Sequence, residues 1–395
     1  MARTPRRRVP HGALAVLAAA LTLAAAACVP PHEPHPPAGY ASVGTGFEHT
    51  CAVTGAGGVE CWGHGSSGQL GNNSTANSSV PVKVSTLSSG VAAVVSGAAH
   101  SCALTTGGGV KCWGSNAFGA LGNNATTNSS VPVNVVGLTS GVIAIATGGD
   151  ASHTCAITLA HGLRCWGNDN YGQLGNGANA NSGVPVDVTG LSAGVASVAV
   201  GQENTCARTT AGGAKCWGSN GYGQLGNGST TGSSVPVDVS GLTSGVASVS
   251  VGSFNTCGLT TAGGVKCWGS NVQSSLGNGS TADSSVPVTV SGLGSGVGAI
   301  SSGRYQSCAL TTGGGLKCWG YNLSGQLGDA SNTNHGVPVD VSGLTSGVSS
   351  VSAGFDYTCA RTTAAAVKCW GLNSFGQLGN NSTANSNVPV TVVQN

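Results

Sequence analysis

Seven tryptophans, Trp62, Trp113, Trp166, Trp217, Trp268, Trp319 and Trp370, recur at intervals of 51, 53, 51, 51, 51 and 51 residues. A period this regular marks one structural unit copied seven times, and units of this kind bury their apolar faces only by stacking on one another. Each Trp follows a cysteine that lies ten positions after another cysteine. The pairs are Cys51 and Cys61, Cys102 and Cys112, Cys155 and Cys165, Cys206 and Cys216, Cys257 and Cys267, Cys308 and Cys318, and Cys359 and Cys369. Of the fifteen cysteines only Cys28 stands outside this pattern.

Four short strand-like runs are legible in each unit. In the fourth copy they are 195–200 (VASVAV), 205–209 (TCART), 214–217 (AKCW) and 235–239 (VPVDV), separated by Gly, Ser and Asn clusters with no helical period between them. Such a pattern reads as all-β. Pro236 and its equivalents cannot donate to a ladder, which sends the VPV strand to a sheet edge. The turn from Thr210 to Gly213 suits a tight hairpin in which glycine takes a positive φ. In the last copy this turn is Ala364-Ala365-Ala366, so there it should differ in type or carry strain. The midpoint between Cys206 and Cys216 is Ala211, at the hairpin tip. That register sets the two thiols opposite each other across an antiparallel pair, where Cα atoms approach to roughly 4.5–5.5 Å, within disulfide reach. Seven disulfides are therefore expected, with buried reduced pairs as the alternative. A structural zinc would need ligands beyond two thiolates, and no histidine recurs to supply them.

Radial stacking hides the sheet edges that a linear array would expose. The expected fold is an all-β, seven-bladed β-propeller of four-stranded antiparallel blades with one disulfide per blade. It occupies 39–395, has repeats starting near 39, 90, 141, 194, 245, 296 and 347, and leaves no room for a second domain.

The first 38 residues have another character. Arg3, Arg6, Arg7 and Arg8 precede an apolar run from Ala13 to Ala27 that is short for a bilayer span, and Ala25 and Ala27 satisfy the small-x-small rule for cleavage. The expectation is a signal peptide over 1–27. Cys28, directly after the cut, resembles the lipidated cysteine of bacterial lipoproteins, with plain secretion as the alternative. The segment 28–38 carries VPPHEPHPP, an extended Pro-rich tether in which His32 and His35 are two solvent-exposed residues rather than a metal site.

The residues 201–217, followed by Gly218-Ser219-Asn220 and Gly223-Gln224-Leu225-Gly226, resemble the regulator of chromosome condensation repeat. In that family a Gly-x-x-His-Thr loop enters a hairpin ending in Trp-Gly, and an Asn and a Gly-Gln-Leu-Gly turn follow. The resemblance recurs seven times over 39–393 and implies a seven-bladed propeller. The fold and destination are also similar to those of a secreted propeller-type β-lactamase inhibitor. Family analogy includes guanine-nucleotide exchange, disfavoured because an exported chain does not meet a cytosolic GTPase, and chromatin docking, which the charge of this chain disfavours. Removing the four arginines of 1–27 from the 14 basic residues leaves ten against 12 acidic ones, a formal charge of −2. A chromatin reader needs a basic face to displace counterions. No nucleic-acid partner is expected. Charged residues make up only 7% of the chain, too few for a charge-rich disordered segment, and the glycines follow no collagen period.

Comparison among the copies separates residues that serve the fold from those free to bind. Trp, the paired Cys and the leucines Leu70, Leu121, Leu174, Leu225, Leu276, Leu327 and Leu378 are uniform, hence core. The loop before the first cysteine of each pair varies. In copies five, six, seven and one, which become neighbours when the ring closes, it carries Phe254, Arg304, Tyr305, Phe355, Asp356, Tyr357, Phe47 and Glu48. Aromatics around an Arg are the usual composition of a binding hot spot. The alternative is packing, because copies two, three, four and seven place Phe118, Tyr171, Tyr222 and Phe375 five residues after Trp, where they could fill the same gap between blades. His49, His100 and His153 share one position and read as hydrogen-bonding groups rather than catalysts. Catalytic motifs are missing, and Asn168-Asp169-Asn170 reads as a turn rather than a calcium site. The residues before each second cysteine, Lys111 and Lys215 among them, read as snorkelling strand residues, with Glu60 the exception.

The expectation is a non-enzymatic, exported, monomeric scaffold without cofactor or metal, presenting a loop face to an extracellular protein or glycan. Its only contact with a membrane would be through a lipid on Cys28. A secreted enzyme inhibitor is the alternative.

Overall fold

The computed structural model describes residues 39–394. The expected signal peptide and tether, with Cys28, lie outside the described residues. Within them, 28 strands form seven separate four-stranded antiparallel sheets, each built from contiguous chain in the order first, second, third, fourth. The first blade comprises Tyr40–Thr45, His49–Thr54, Val59–Gly63 and Ser78–Lys83. The seventh comprises Val348–Ala353, Tyr357–Thr362, Val367–Gly371 and Ser386–Thr391. First strands converge on a central channel of about 470 Å³ walled by small and hydroxyl side chains such as Ser42, Ala93, Ser301 and Ser352. The fourth, Pro-containing strands form the rim, as their missing donors require.

The core lies between blades. In blade 4 the Cys206–Cys216 pair, Leu225 and Val239 pack against Trp268 of blade 5. The ring closes the same way, with Cys359, Cys369 and Leu378 against Trp62. All seven tryptophans are fully buried. Each indole N–H donates to a carbonyl of the preceding blade, as Trp217 does to Gln173 and Trp62 to Gln377, both at 2.9 Å. The repeat's Trp is therefore both the apolar knob and the polar latch between blades.

Every hairpin pairs its cysteines directly across the ladder, and seven disulfides are formed with Cα separations of 4.0–4.1 Å. The approach is closer than expected because these residues occupy the non-hydrogen-bonded register, the tighter of the two antiparallel pairings. The hairpin turn keeps one type throughout. Gly57, Gly108, Gly212, Gly263 and Gly314 take positive φ, and so do the residues replacing glycine, His161 at 57° and Ala365 at 64°. Of the two outcomes foreseen for the Ala364–Ala366 turn, strain is the one that occurs.

The residues before the second cysteines do more than snorkel. Arg164, Lys215 and Lys317 pair with Asp187, Asp238 and Asp340 on the neighbouring rim strand at 2.8, 2.7 and 2.7 Å. Glu60 instead accepts the Tyr40 hydroxyl at 2.8 Å.

Because no blade borrows a strand, closure depends on side chains and loop backbone at the junction of blades 7 and 1. Tyr40 N–H donates to the Ala365 carbonyl at 2.9 Å, and Arg361 Nε donates to the Tyr40 carbonyl. Tyr357 is fully buried here. Its hydroxyl donates to the His49 carbonyl at 2.6 Å, and Gly46 N–H approaches it at 3.2 Å and Thr50 Oγ1 at 2.9 Å. The expectation that Tyr357 belongs to an exposed binding face is therefore corrected. It occupies the position of His49, His100 and His153, where any residue points into the wall between blades.

Candidate functional site: an aromatic ladder on the loop face

The loops after the first and third strands of every blade emerge on one face of the ring, and the hairpin turns on the other. On the loop face the variable residues form a continuous ladder across five blades. Tyr222 meets Phe254 edge-on at 5.6 Å, and Phe254 stacks on Tyr305 at 5.2 Å. The Arg304 guanidinium lies 5.0 Å from the Tyr305 ring centre and 4.3 Å from that of Phe355, which meets Phe47 at 3.8 Å. Phe47, Phe254, Arg304, Tyr305 and Phe355 are half-buried: they support one another below and face solvent above. Phe118, Tyr171 and Tyr222 remain 39%, 51% and 45% exposed, so the residues five after Trp do not simply fill gaps between blades. Phe375 does pack, stacking on His64 at 4.3 Å.

Arg304 is held from two sides. Asp356 stands 3.7 Å from its Nη1, and its Nε is buried without a hydrogen-bond partner. Burial raises the Asp356 carboxyl above its usual range, and Arg304 opposes that shift. Glu48 lies 3.3 Å from His64, and burial pushes its carboxyl up as well. Of the two acidic residues expected on this face, Asp356 props Arg304 in the ladder, while Glu48 pairs with His64, which stacks on Phe375 beside it.

One contributor was visible in the sequence only as a length anomaly. The blade 3 loop, two residues longer than its siblings, reaches across the channel mouth. A Cβ on Gly149 would stand 3.3 Å from both the Gly354 Cα and the Gly46 carbonyl oxygen, and the Ser253 hydroxyl donates to Asp150. Burial lifts the Asp150 carboxyl to about 6 despite that hydrogen bond and nearby Arg304. The loop plugs the channel at this end and supports Arg304 from the axis.

The three histidines form inter-blade links. Nε2 of His49, His100 and His153 lies 2.8 Å from the hydroxyls of Ser101, Thr154 and Thr205 in the next blade. Ser101 and Thr205 donate onward to the Gln69 and Gln173 carbonyls at 3.1 and 2.8 Å, so the imidazoles of His49 and His153 donate through Nε2, and their buried, unpartnered Nδ1 atoms favour the neutral ring. Burial lowers His49, His100 and His153 to about 3, 4 and 3. No group of three or more metal-ligating side chains occurs among the described residues. Asp169 accepts the Leu174 N–H at 2.8 Å where five blades use Asn.

The fold and loop face define a closed seven-bladed propeller of RCC1 type. The RCC1-like domain matches residues 22–298, and the regulator of chromosome condensation (RCC1) repeat matches 299–326 and 348–377. The chain belongs to this family. The ultraviolet-B receptor UVR8 of Arabidopsis thaliana is 32% identical over 362 residues, spanning 90% of this chain and 82% of that protein. The human E3 ubiquitin-protein ligase HERC2 is 33% identical over 69% of this chain, a match that spans only 6% of HERC2. Among solved structures, Prp20p of Saccharomyces cerevisiae superposes with a TM-score of 0.76 at 20% identity, over 90% of this chain and 88% of that one. At that identity the likeness concerns the fold.

Proposed function

We propose that this chain is a non-enzymatic binding scaffold, exported and held by a lipid on Cys28, that presents its loop face to a protein or glycan outside the cell. The observation that carries the reading is the ladder from Tyr222 to Phe47, rings and one arginine held in place yet open to solvent, the composition of a binding hot spot. The relatives support a binding role at the level of the family: one is a light receptor and one a ubiquitin ligase, and the Prp20p structure is described with its binding to Gsp1p and histones. Gly39 accepts the Gly55 N–H at the hairpin-turn face, so a tether ahead of it would leave the ladder pointing away from the membrane.

The test is capture of partners from the envelope and secreted fraction with wild-type protein and with R304A/Y305A. A partner retained equally by both would sink the site assignment. Intact mass addresses the anchor: the mature chain should start at Cys28 and carry a diacylglyceryl group. A free thiol at Cys28 would discard the tether and keep the scaffold. The alternative, inhibition of a secreted enzyme such as a β-lactamase, is checked with purified protein and a chromogenic substrate.

A further inference from the structure

Blade 4 departs from its siblings at one residue. In the other six blades a side chain on the loop before the fourth strand caps a buried backbone N–H. Asn77, Asn128 and Asn181 accept from Gly65, Asn116 and Asp169 at 2.9, 2.9 and 2.8 Å. Asp283, Asn334 and Asn385 accept from Asn271, Asn322 and Asn373 at 2.6, 2.9 and 2.9 Å. In blade 4 that place is Gly232. The slot a carboxamide or carboxylate fills elsewhere is open, and the Asn220 N–H, 3.8 Å from where a Cβ on Gly232 would stand, has no acceptor among the described residues. The Asn220 N–H therefore faces this slot, and a ligand acceptor placed there would take the position that the sibling side chains fill.

The slot opens into a recess of about 510 Å³ between blades 3 and 4 on the loop face, a volume ordinary for a small-ligand site. Half-exposed Tyr171 forms one wall, and Asn170, Asn179, Ser219 and Ser233 supply amides and hydroxyls. None of the lining residues is charged. A neutral occupant suits this uncharged lining, with a carbonyl narrow enough to replace a side-chain amide, an apolar face for the phenol ring and hydroxyls for the remaining polar groups. A purely apolar group would leave the Asn220 N–H without its acceptor; a carboxylate, which blade 5 supplies as Asp283 at the equivalent position, finds no counter-charge in this recess.

We propose that this recess binds an N-acetylhexosamine residue of a glycan. The acetamido carbonyl accepts the Asn220 N–H, and the sugar ring lies on Tyr171. The inference deepens the loop-face reading by naming a glycan at the end of the ladder that begins with Tyr222, the residue beside Gly221 in the recess wall.

Calorimetric titration of the full propeller with tri-N-acetylchitotriose, and with cellotriose as the sugar lacking acetamido groups, tests it. The chitin trimer should bind and the glucose trimer at least about tenfold more weakly, the equivalent of one well-placed hydrogen bond. Gly232→Asn restores the sibling side chain. The φ of Gly232 is not left-handed, and the one tight approach of a new Cβ is 3.0 Å to the Gly218 carbonyl oxygen, at a position where the six sibling blades carry Asn or Asp. This variant should keep or raise the unfolding midpoint while weakening trimer binding by at least about tenfold. Tyr171→Ala should weaken binding several-fold, and Lys317→Ala, paired to the rim strand of blade 6 and away from the recess, should leave it unchanged. Absence of trimer binding by wild type through the millimolar range, or equal binding by Gly232→Asn, overturns the proposal. So does a protein partner lost with Gly232→Asn while the trimer fails to bind. A trimer that fails while R304A/Y305A still abolishes partner capture removes this site and leaves the scaffold reading standing.

Discussion

Replacing His49, His100 and His153 together by Asn should make the ring resistant to mild acid. In the folded protein these imidazoles are neutral, with values of about 3, 4 and 3 enforced by burial. In the unfolded chain each titrates near 6.5. The unfolded state therefore binds more protons over the whole interval between those values, and stability falls as pH drops below about 6.5. From pH 7.5 to pH 5 each histidine goes from mostly neutral to almost fully charged in the unfolded chain while staying neutral in the fold. The loss is about 2 kcal/mol per residue and about 6 kcal/mol for the three, comparable with the whole stability of an ordinary domain. Raised carboxyls act in the opposite sense. Asp150 and Asp169, lifted to about 6, take up protons in the folded state first and add stability as pH falls through that value. The wild-type decline is thus the smaller, net figure, and the difference between wild type and variant isolates the histidines. Asn is the replacement that blades 4 and 5 already carry at this position; Asn255 links to Ser307 at 3.3 Å as the imidazoles do, while both polar atoms of the buried Asn204 side chain lack a partner. At pH 7.5 the variant should be less stable than wild type by about 1–3 kcal/mol per unpaired side chain, an offset that leaves its pH slope as the readout. The assay is guanidinium unfolding followed by the fluorescence of the seven buried tryptophans, at pH 7.5 and 5 with disulfides intact. A variant whose midpoint falls with pH as steeply as that of wild type would refute the reasoning.

Ala365→Gly should stabilise the protein by about 1 kcal/mol, because only glycine takes the left-handed φ of 64° without a Cβ penalty; an unchanged melting temperature would remove strain from that turn. Tyr357→Phe should cost about 2 kcal/mol in thermal unfolding by stripping the seam of the hydroxyl that serves the His49 carbonyl, Gly46 N–H and Thr50, and a change under half of that would mean the seam is held elsewhere. The paired cysteines should resist alkylation until the chain is both unfolded and reduced, and then take up fourteen groups from the seven bridges. Replacing Cys206 and Cys216 together by Ser should cost about 2–3 kcal/mol, the loop-closure value for a ten-residue span, read as a shift in the denaturation midpoint.

Periodicity made the architecture legible. Because every copy meets the same neighbours, one unit read for strands, turn and cysteine register specifies all seven blades, and the between-blade core follows from the uniform Trp and Leu. The hairpin's ten-residue spacing fixed the disulfides through local register alone. The site was legible only in outline. The aromatics of copies five, six, seven and one do converge with Arg304, since circular closure makes the last copy the neighbour of the first. Tyr357, grouped with them by its position in the chain, turns inward because the third residue of that loop already belongs to the second strand and faces the wall between blades. Alignment of the copies carries the signal that separates it from Phe355: Tyr357 falls at the position of His49, His100 and His153.

What the sequence by itself determined, then, is what repeats: blade count, strand order, pairing register and rim prolines, all consequences of short-range geometry multiplied by seven. The tertiary structure decided what happens where the repeat is broken. The two extra residues of blade 3 become a plug over the channel, Tyr357 becomes the lock of a ring with no shared strand, and Gly232 becomes an open slot. Each effect depends on groups brought close from distant parts of the chain, such as Asp150 and Ser253 or Tyr357 and His49. A departure from a repeat acquires meaning only when the group it fails to meet, or newly meets, is in place.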